Sequence, residues 1–192
     1  GDGGVYHKLT GLNFSGIVMP HQYNFSRYVV QKTTAATLNF AAVTAVAARI
    51  FTEFEAVKPG YSAALLAASE AAYTWAKAKP TIYYNQPSNV NTGEYGDNNV
   101  SDEFDWAAAE LFITTGAATY RSDINESQIG NGVPAWPYTS PLALISLAHH
   151  GDAIAADLDL NAIELKLLTT AVQLRGTINN SSMRVAMGQS NG

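Results

Sequence analysis

The stretch Val100-Ser101-Asp102-Glu103-Phe104-Asp105-Trp106-Ala107-Ala108-Ala109-Glu110-Leu111-Phe112 puts clustered acids and a tryptophan at the start of an alanine-rich run. Neither Gly nor Pro interrupts it before Gly116, and acids in a first turn are favoured by the positive end of a helix dipole. The spacing predicts a helix over 101–115, with Ser101 as its cap. Alanine favours the helix and also lets its backbone approach a neighbour closely.

Upstream, Thr33 to Phe54 carries Leu38, Ala41, Ala42, Ala45, Val46 and Ile50 at three- and four-residue spacings, the mark of an amphipathic helix. Lys58-Pro59-Gly60 breaks it. Tyr61 to Lys79 repeats the pattern through Leu65, Ala68, Ala72, Tyr73 and Ala76 until Pro80, so two antiparallel helices are expected. Residues 80–100 follow as an aperiodic stretch rich in Tyr and Asn, and loops of this length are often functional. Downstream, a short helix is expected near Thr119 to Glu126. Two more are expected from Ser140 to His149, with a serine cap before Pro141, and from Leu160 to Leu174. Period-two alternation is hardly visible, which makes the class all-α. The alanine pairs predict stacked hairpins, and without a repeat signature a closed ring with long rim loops fits better than a regular solenoid.

The composition suits one globular domain, since 47% of the residues are hydrophobic and only 14% are charged. A net charge of −5, with eleven basic residues spread thinly, offers no stripe for phosphates, so nucleic acid is not an expected partner. The absence of cysteine excludes disulfides and thiolate metal sites, and it leaves the redox compartment open. No apolar run approaches the ~20 residues of a membrane span, so no membrane is expected as a partner. Gly1-Asp2-Gly3-Gly4 lacks the features of a signal peptide, and Gln189-Ser190-Asn191-Gly192 closes the sequence without a terminating element. Both ends read as boundaries within something longer.

Near the N-terminus, Gly3-Gly4-Val5-Tyr6-His7-Lys8 precedes Val18-Met19-Pro20 and a helix opening Thr33-Thr34-Ala35-Ala36. Later, Tyr95-Gly96-Asp97 leads into the Asp102-Glu103-Phe104-Asp105-Trp106 run. In order and spacing these segments resemble the glycoside hydrolase family 9 endoglucanases, most strongly over residues 3–20 and 93–116. The resemblance implies that residues 1–192 are the central fragment of one catalytic domain. That domain would be an (α/α)6 toroid of twelve helices cleaving β-1,4-glucan with inversion, without an organic cofactor, in a secreted or cell-surface protein. Inversion needs a base and an acid roughly 6.5–9.5 Å apart so that water fits between them. In the family, the base comes from an Asp-Ala-Gly-Asp-like segment upstream of the Gly-Gly-Val-x-His-Lys region, and the acid is a glutamate far downstream. Neither segment is in this sequence, so no catalytic residue is assigned and this chain alone is expected to be inactive. His149-His150-Gly151 lacks the arginine of the family's His-x-Arg loop.

The resemblance also nominates site residues, each with a plainer alternative. His7 matches a histidine that hydrogen-bonds a sugar hydroxyl; otherwise it is a loop histidine satisfied by backbone. Tyr95, Tyr84 and Trp136 are candidates for a sugar platform, because flat rings cover the apolar faces of glucose; packing is the alternative. Tyr6, Trp75 and Trp106 read as packing residues. Asp102 and Glu103, beside the turn of Asn98 and Asn99, sit where some relatives hold a structural calcium, a cation that takes six to eight oxygens. Equally, first-turn acids need no metal. Pro137 stands where such relatives offer a further aspartate. Glu94 and Asp97 read as solvated loop acids.

The leading expectation is therefore a piece of an endo-β-1,4-glucanase whose partners are β-1,4-glucan and either the rest of its domain or further copies of itself. A noncatalytic carbohydrate-binding helical module is the alternative, and a helical scaffold for another protein is a third reading.

Overall fold

The computed structural model describes residues 1–154 and 158–186. The closing Gln189-Ser190-Asn191-Gly192, expected to lack a terminating element, lies outside these residues. The helices are α1 (Thr34–Thr52), α2 (Tyr61–Ala78), α3 (Ser101–Thr115), α4 (Ala118–Arg121), α5 (Ser140–His149), α6 (Gly151–Ile154) and α7 (Leu160–Asn180). The expected all-α class holds.

Small side chains set the packing. Ala41, Ala42 and Ala45 of α1 are completely buried, and so are Ala72 and Ala76 of α2 and Ala107, Ala108 and Ala109 of α3. With only methyl groups between them the backbones come close enough for side-chain hydroxyls to reach across. Ser69 of α2 donates to the Ala41 carbonyl at 2.6 Å, and Ser62 donates to that of Ala48 at 2.8 Å. α1 packs extensively against both α2 and α3, α3 against α5, and α5 against α7. The succession is a fan of helices rather than a closed bundle. Leu38, Leu111, Leu144, Leu147 and Ile163 fill the core between its ribs.

Several local expectations change. Ser101 does not cap α3 but is its first residue: Val100 holds the N-cap position without a side-chain cap bond, and the Asn99 side-chain oxygen just before it accepts from the Ser101 N–H and hydroxyl. Ser140 lies inside α5, and Thr139 occupies its N-cap position without a side-chain cap bond. The helix expected over 119–126 shrinks to the single turn of α4, after which Arg121, bonded to the Ile124 carbonyl and the Glu126 carboxylate, holds the chain in turns. α7 runs past Leu174 to Asn180, because Gly176 stays helical and no left-handed cap ends the helix there. The N-terminal region contains a two-stranded ribbon, β1 (Leu9–Thr10) against β2 (Tyr28–Val29), antiparallel with Leu9 opposite Val29. Bonds from the His7 N–H to the Gln31 carbonyl and from Val30 N–H to that of Lys8 extend it. It is too short and exposed to show an alternating pattern.

α1 also corrects the membrane reading, being long and apolar enough to cross a bilayer by length and composition. Half of that window is buried inside the protein, where its Ala and Thr face α2 and α3. Trp75 is buried as expected. Trp106 is half-buried and donates its indole N–H to Glu110. Tyr6 is exposed, with the Lys32 ammonium over its ring.

Candidate glycan-binding cleft

Three loops and the first turns of α1 and α3 converge on one cleft of about 240 Å³. His7 and Lys8 come from the extended N-terminal segment, Tyr95 and Asp97 from the loop before α3, and Trp136 from the loop before α5. Ala35, Ala36 and Asn39 of α1 and Glu103 of α3 complete the lining. Of the four residues nominated for sugar contact, His7, Tyr95 and Trp136, far apart in sequence, thus line one cleft.

His7 is held from three sides. Its ring stacks on Tyr84 with centroids 4.0 Å apart and planes within 9°. The Glu94 carbonyl can only accept, so Nε2–H is the donor in the 3.1 Å contact to it. Nδ1 then accepts from the Thr33 hydroxyl at 3.1 Å, and that oxygen in turn accepts from the Ala36 N–H to cap α1. Burial lowers the pKa of His7, with the Lys8 charge acting the same way against the Glu94 carbonyl, so the neutral tautomer is favoured. Both nitrogens are therefore engaged inside the chain. A sugar hydroxyl reaches Nε2 only by replacing the Glu94 carbonyl.

The same arrangement removes Tyr84 from the sugar platform. Its ring is 6% exposed beneath His7, and its hydroxyl donates to the Gln86 side chain at 2.9 Å. Lys8 ties the rim down, because its ammonium donates to Gln86 Oε1 at 2.8 Å, to the Thr92 hydroxyl at 3.4 Å and to the Gly93 carbonyl. Tyr95 and Trp136, by contrast, are 61% and 58% exposed and meet edge to face at 5.8 Å and 89°. Tyr95 has a left-handed backbone, with φ of 53°. Such strain in a non-glycine residue persists only where its surroundings fix it.

Below the rings lies a group of oxygens without partners. Asp97 Oδ2, Glu103 Oε2 and Asn39 Oδ1, all from residues lining the cleft, are buried and make no hydrogen bond among the described residues, and Asp102 Oδ1 is in the same condition. The other Asp102 oxygen accepts from the Thr139 N–H at 2.6 Å and its hydroxyl at 3.1 Å, joining α3 to the start of α5. Asp97 Oδ1 accepts from the Asn99 N–H. Burial, then the nearby Asp102 and Asp97, push the Glu103 pKa up to about 8. Asp97 is thus half-buried at the cleft rather than a solvated loop acid, whereas Glu94 is exposed. Asn99 spends its side-chain oxygen on Ser101, and Asn98 is exposed on the same turn. Among the described residues, no three His, Cys, Asp or Glu side chains form a ready-made metal site. Asn39 was not singled out from sequence. The only signal for it is an amide in a run of Thr, Ala and Leu.

An open fan of helices with aromatic rings and carboxylates on one rim is the architecture of a segment of a helical-toroid glycoside hydrolase. A solved family 9 structure from Bacteroides ovatus superposes with a TM-score of 0.85 at 36% identity, covering 98% of this chain and 36% of that one. A thermostable endoglucanase from Alicyclobacillus acidocaldarius gives 0.84 at 25% identity, covering 97% and 35%. The fold is accordingly part of an (α/α)6 barrel.

The model of glycosyl hydrolase family 9 matches residues 1–187, and this chain belongs to that family. Among curated relatives, a xyloglucan-specific endo-β-1,4-glucanase of Bacteroides ovatus is 43% identical over 159 residues, which are 78% of this chain and 27% of that protein. Endoglucanase D of Acetivibrio thermocellus is 37% identical over 123 residues, 64% of this chain and 19% of its own length. The match thus takes in roughly a fifth to a third of the length of these relatives.

Proposed function

We propose that this chain is a segment of an inverting endo-β-1,4-glucanase acting on cellulose or a related β-glucan, and that it supplies part of the substrate cleft. The observation carrying this reading is the convergence of His7, Tyr95 and Trp136 on one opening. The exposed rings of Tyr95 and Trp136 stack on sugar faces, while His7 Nε2–H exchanges the Glu94 carbonyl for a sugar hydroxyl. The catalytic aspartate pair and glutamate belong to polypeptide outside residues 1–192, and the reaction uses no organic cofactor. Xyloglucan is one substrate to test, being the one for which the 43% identical relative is named. Glucans of this kind are polymers met outside cells, which fits a secreted or cell-surface enzyme.

A structural calcium is part of the same proposal, although Asp97, Asp102 and Glu103 do not form a ready-made three-acid site. Orphaned oxygens of Asp97, Asp102 and Glu103 are hard donors for such a cation, and the Asn98-Asn99 turn lies beside them. The ion would offset the clustered negative charge and fix the loop carrying Tyr95. Calorimetry with calcium, on this chain and on Asp102→Ala, tests this. Equal calcium binding by both would remove Asp102 from the site.

The fan also leaves apolar surface that association would cover. Ile50 of α1, Phe54 just after that helix and Ile145 of α5 are exposed around a groove of about 610 Å³, and Leu165, Leu168 and Val172 form a stripe on α7. Such patches favour association, here with the rest of the domain or with further copies of the chain. Light scattering showing a monodisperse monomer counts against it. The function itself is tested by assaying this chain and a longer polypeptide containing it on soluble cellulose derivatives. Activity is expected only in the longer form, and activity of this chain alone would place the carboxylates within it. Glucan binding without hydrolysis by the longer form would favour a noncatalytic binding module.

A further inference from the structure

A second opening lies at the far end of the ribbon that carries His7. It is a hollow of about 310 Å³ between the turn after β1 and the segment before β2, and Asn13, Phe14, Tyr23, Phe25 and Tyr28 furnish its walls. No Asp, Glu, Lys, Arg or His lines it. Phe14 and Phe25 are 74% and 61% exposed, while Tyr23 meets Phe25 edge to face at 5.4 Å and 70°. Rings of this number, open to solvent and bordered by an amide and hydroxyls, match the alternating apolar faces and hydroxyl edges of a neutral saccharide. They offer nothing to an ion.

The hollow is built rather than incidental. Gly11 lies against the Tyr23 hydroxyl so closely that a Cβ there would stand 2.4 Å from it, so the position admits no side chain while Tyr23 keeps this place. The Leu12 carbonyl accepts from the Asn91 N–H at 2.7 Å, and the Asn13 side-chain oxygen accepts from the Asn91 amide at 2.7 Å. Those bonds fix the hollow to the loop that also carries Tyr95. From His7, which lines the cleft, to Gly11, which lines the hollow, the chain spans roughly 13 Å at ~3.3 Å per residue. That is the reach of a short oligosaccharide.

We infer that this hollow is an accessory subsite for a remote sugar ring of the same β-1,4-glucan chain that occupies the cleft, so that longer substrates bind more tightly than short ones. The inference rests on the glucan reading of the cleft. It is tested by calorimetry of the intact chain with cellohexaose and cellotriose, comparing wild type, Phe14→Ala/Phe25→Ala and Trp136→Ala. Both phenylalanines are exposed, and Phe14→Tyr/Phe25→Tyr controls for ring loss alone. The expected result is a roughly tenfold weaker cellohexaose affinity in the double alanine variant, about the effect of 1.4 kcal/mol. Cellotriose affinity stays unchanged in that variant, the tyrosine pair matches wild type, and Trp136→Ala weakens both sugars. Equal cellohexaose affinity in wild type and the double alanine variant overturns the accessory site. If Trp136→Ala leaves both sugars unaffected while the phenylalanine dependence persists, the cleft reading fails and the hollow stands as a glucan site.

Discussion

Glu103 and Glu110 lie seven residues apart on α3, two turns along the helix, and each is only 1% exposed. Their surroundings are opposite. Glu110 is saturated: Arg49 of α1 pairs with it at 2.6 Å, the Trp106 indole N–H donates at 3.1 Å, and the Ser146 hydroxyl of α5 donates as well. Glu103 keeps one oxygen without a partner, faces Asp102 and Asp97, and titrates near 8. The first carboxylate joins three helices and is explained by the fold alone. The second is costly to bury as a carboxylate, so it stays largely protonated at neutral pH unless a cation meets it.

The comparison can be broken most directly at Glu110. Glu110→Ala leaves Arg49 without its carboxylate and the Trp106 indole and Ser146 hydroxyl without their acceptor. The expected loss is ~3–5 kcal/mol in denaturant unfolding, the range for a broken buried pair. A loss below about 1 kcal/mol would mean that the node is not structural. At the other end of α3, Trp136→Ala removes a ring that is mostly in solvent. It should weaken glucan binding roughly tenfold, equivalent to about 1.4 kcal/mol, with an unchanged melting temperature. A lower melting temperature would return Trp136 to packing.

Glu103→Gln sharpens the contrast further. Without metal it should raise stability at neutral pH by on the order of 1 kcal/mol, because burial no longer forces a carboxylate to take up a proton. It should also abolish any rise in melting temperature on adding calcium, and a calcium effect equal to wild type would detach Glu103 from the ion. The smallest effect belongs to His7. Its folded pKa lies below the ordinary 6.5, so the unfolded chain takes up the proton first. Its contribution is complete above pH 6.5 and is lost as pH falls from there through the lowered value. His7→Gln should flatten that part of the stability curve, and an unchanged slope would show that other groups set it.

Much of the helical framework was readable from alanine spacing, since Ala41, Ala45, Ala72 and Ala108 mark the buried faces directly. Capping was less readable. Val100 holds the α3 N-cap position with no side-chain cap bond, and a rule that looks for a polar cap at the boundary chooses Ser101. The convergence of His7, Tyr95 and Trp136 came from family likeness, because no periodicity relates residues so distant in the chain. Tyr84 and Asn39 were misread or missed for a related reason. What decides them is whether a ring is covered by His7 or an amide faces a cavity, and both depend on tertiary placement.

Gly93 lies so near the Tyr95 ring that a Cβ there would approach within 2.7 Å of it. Any side chain placed at 93 therefore has to displace the Tyr95 ring from its present position. A descendant that acquires any side chain at 93 must redirect the aromatic at 95 in the same step, so new specificities at this rim should appear as paired replacements.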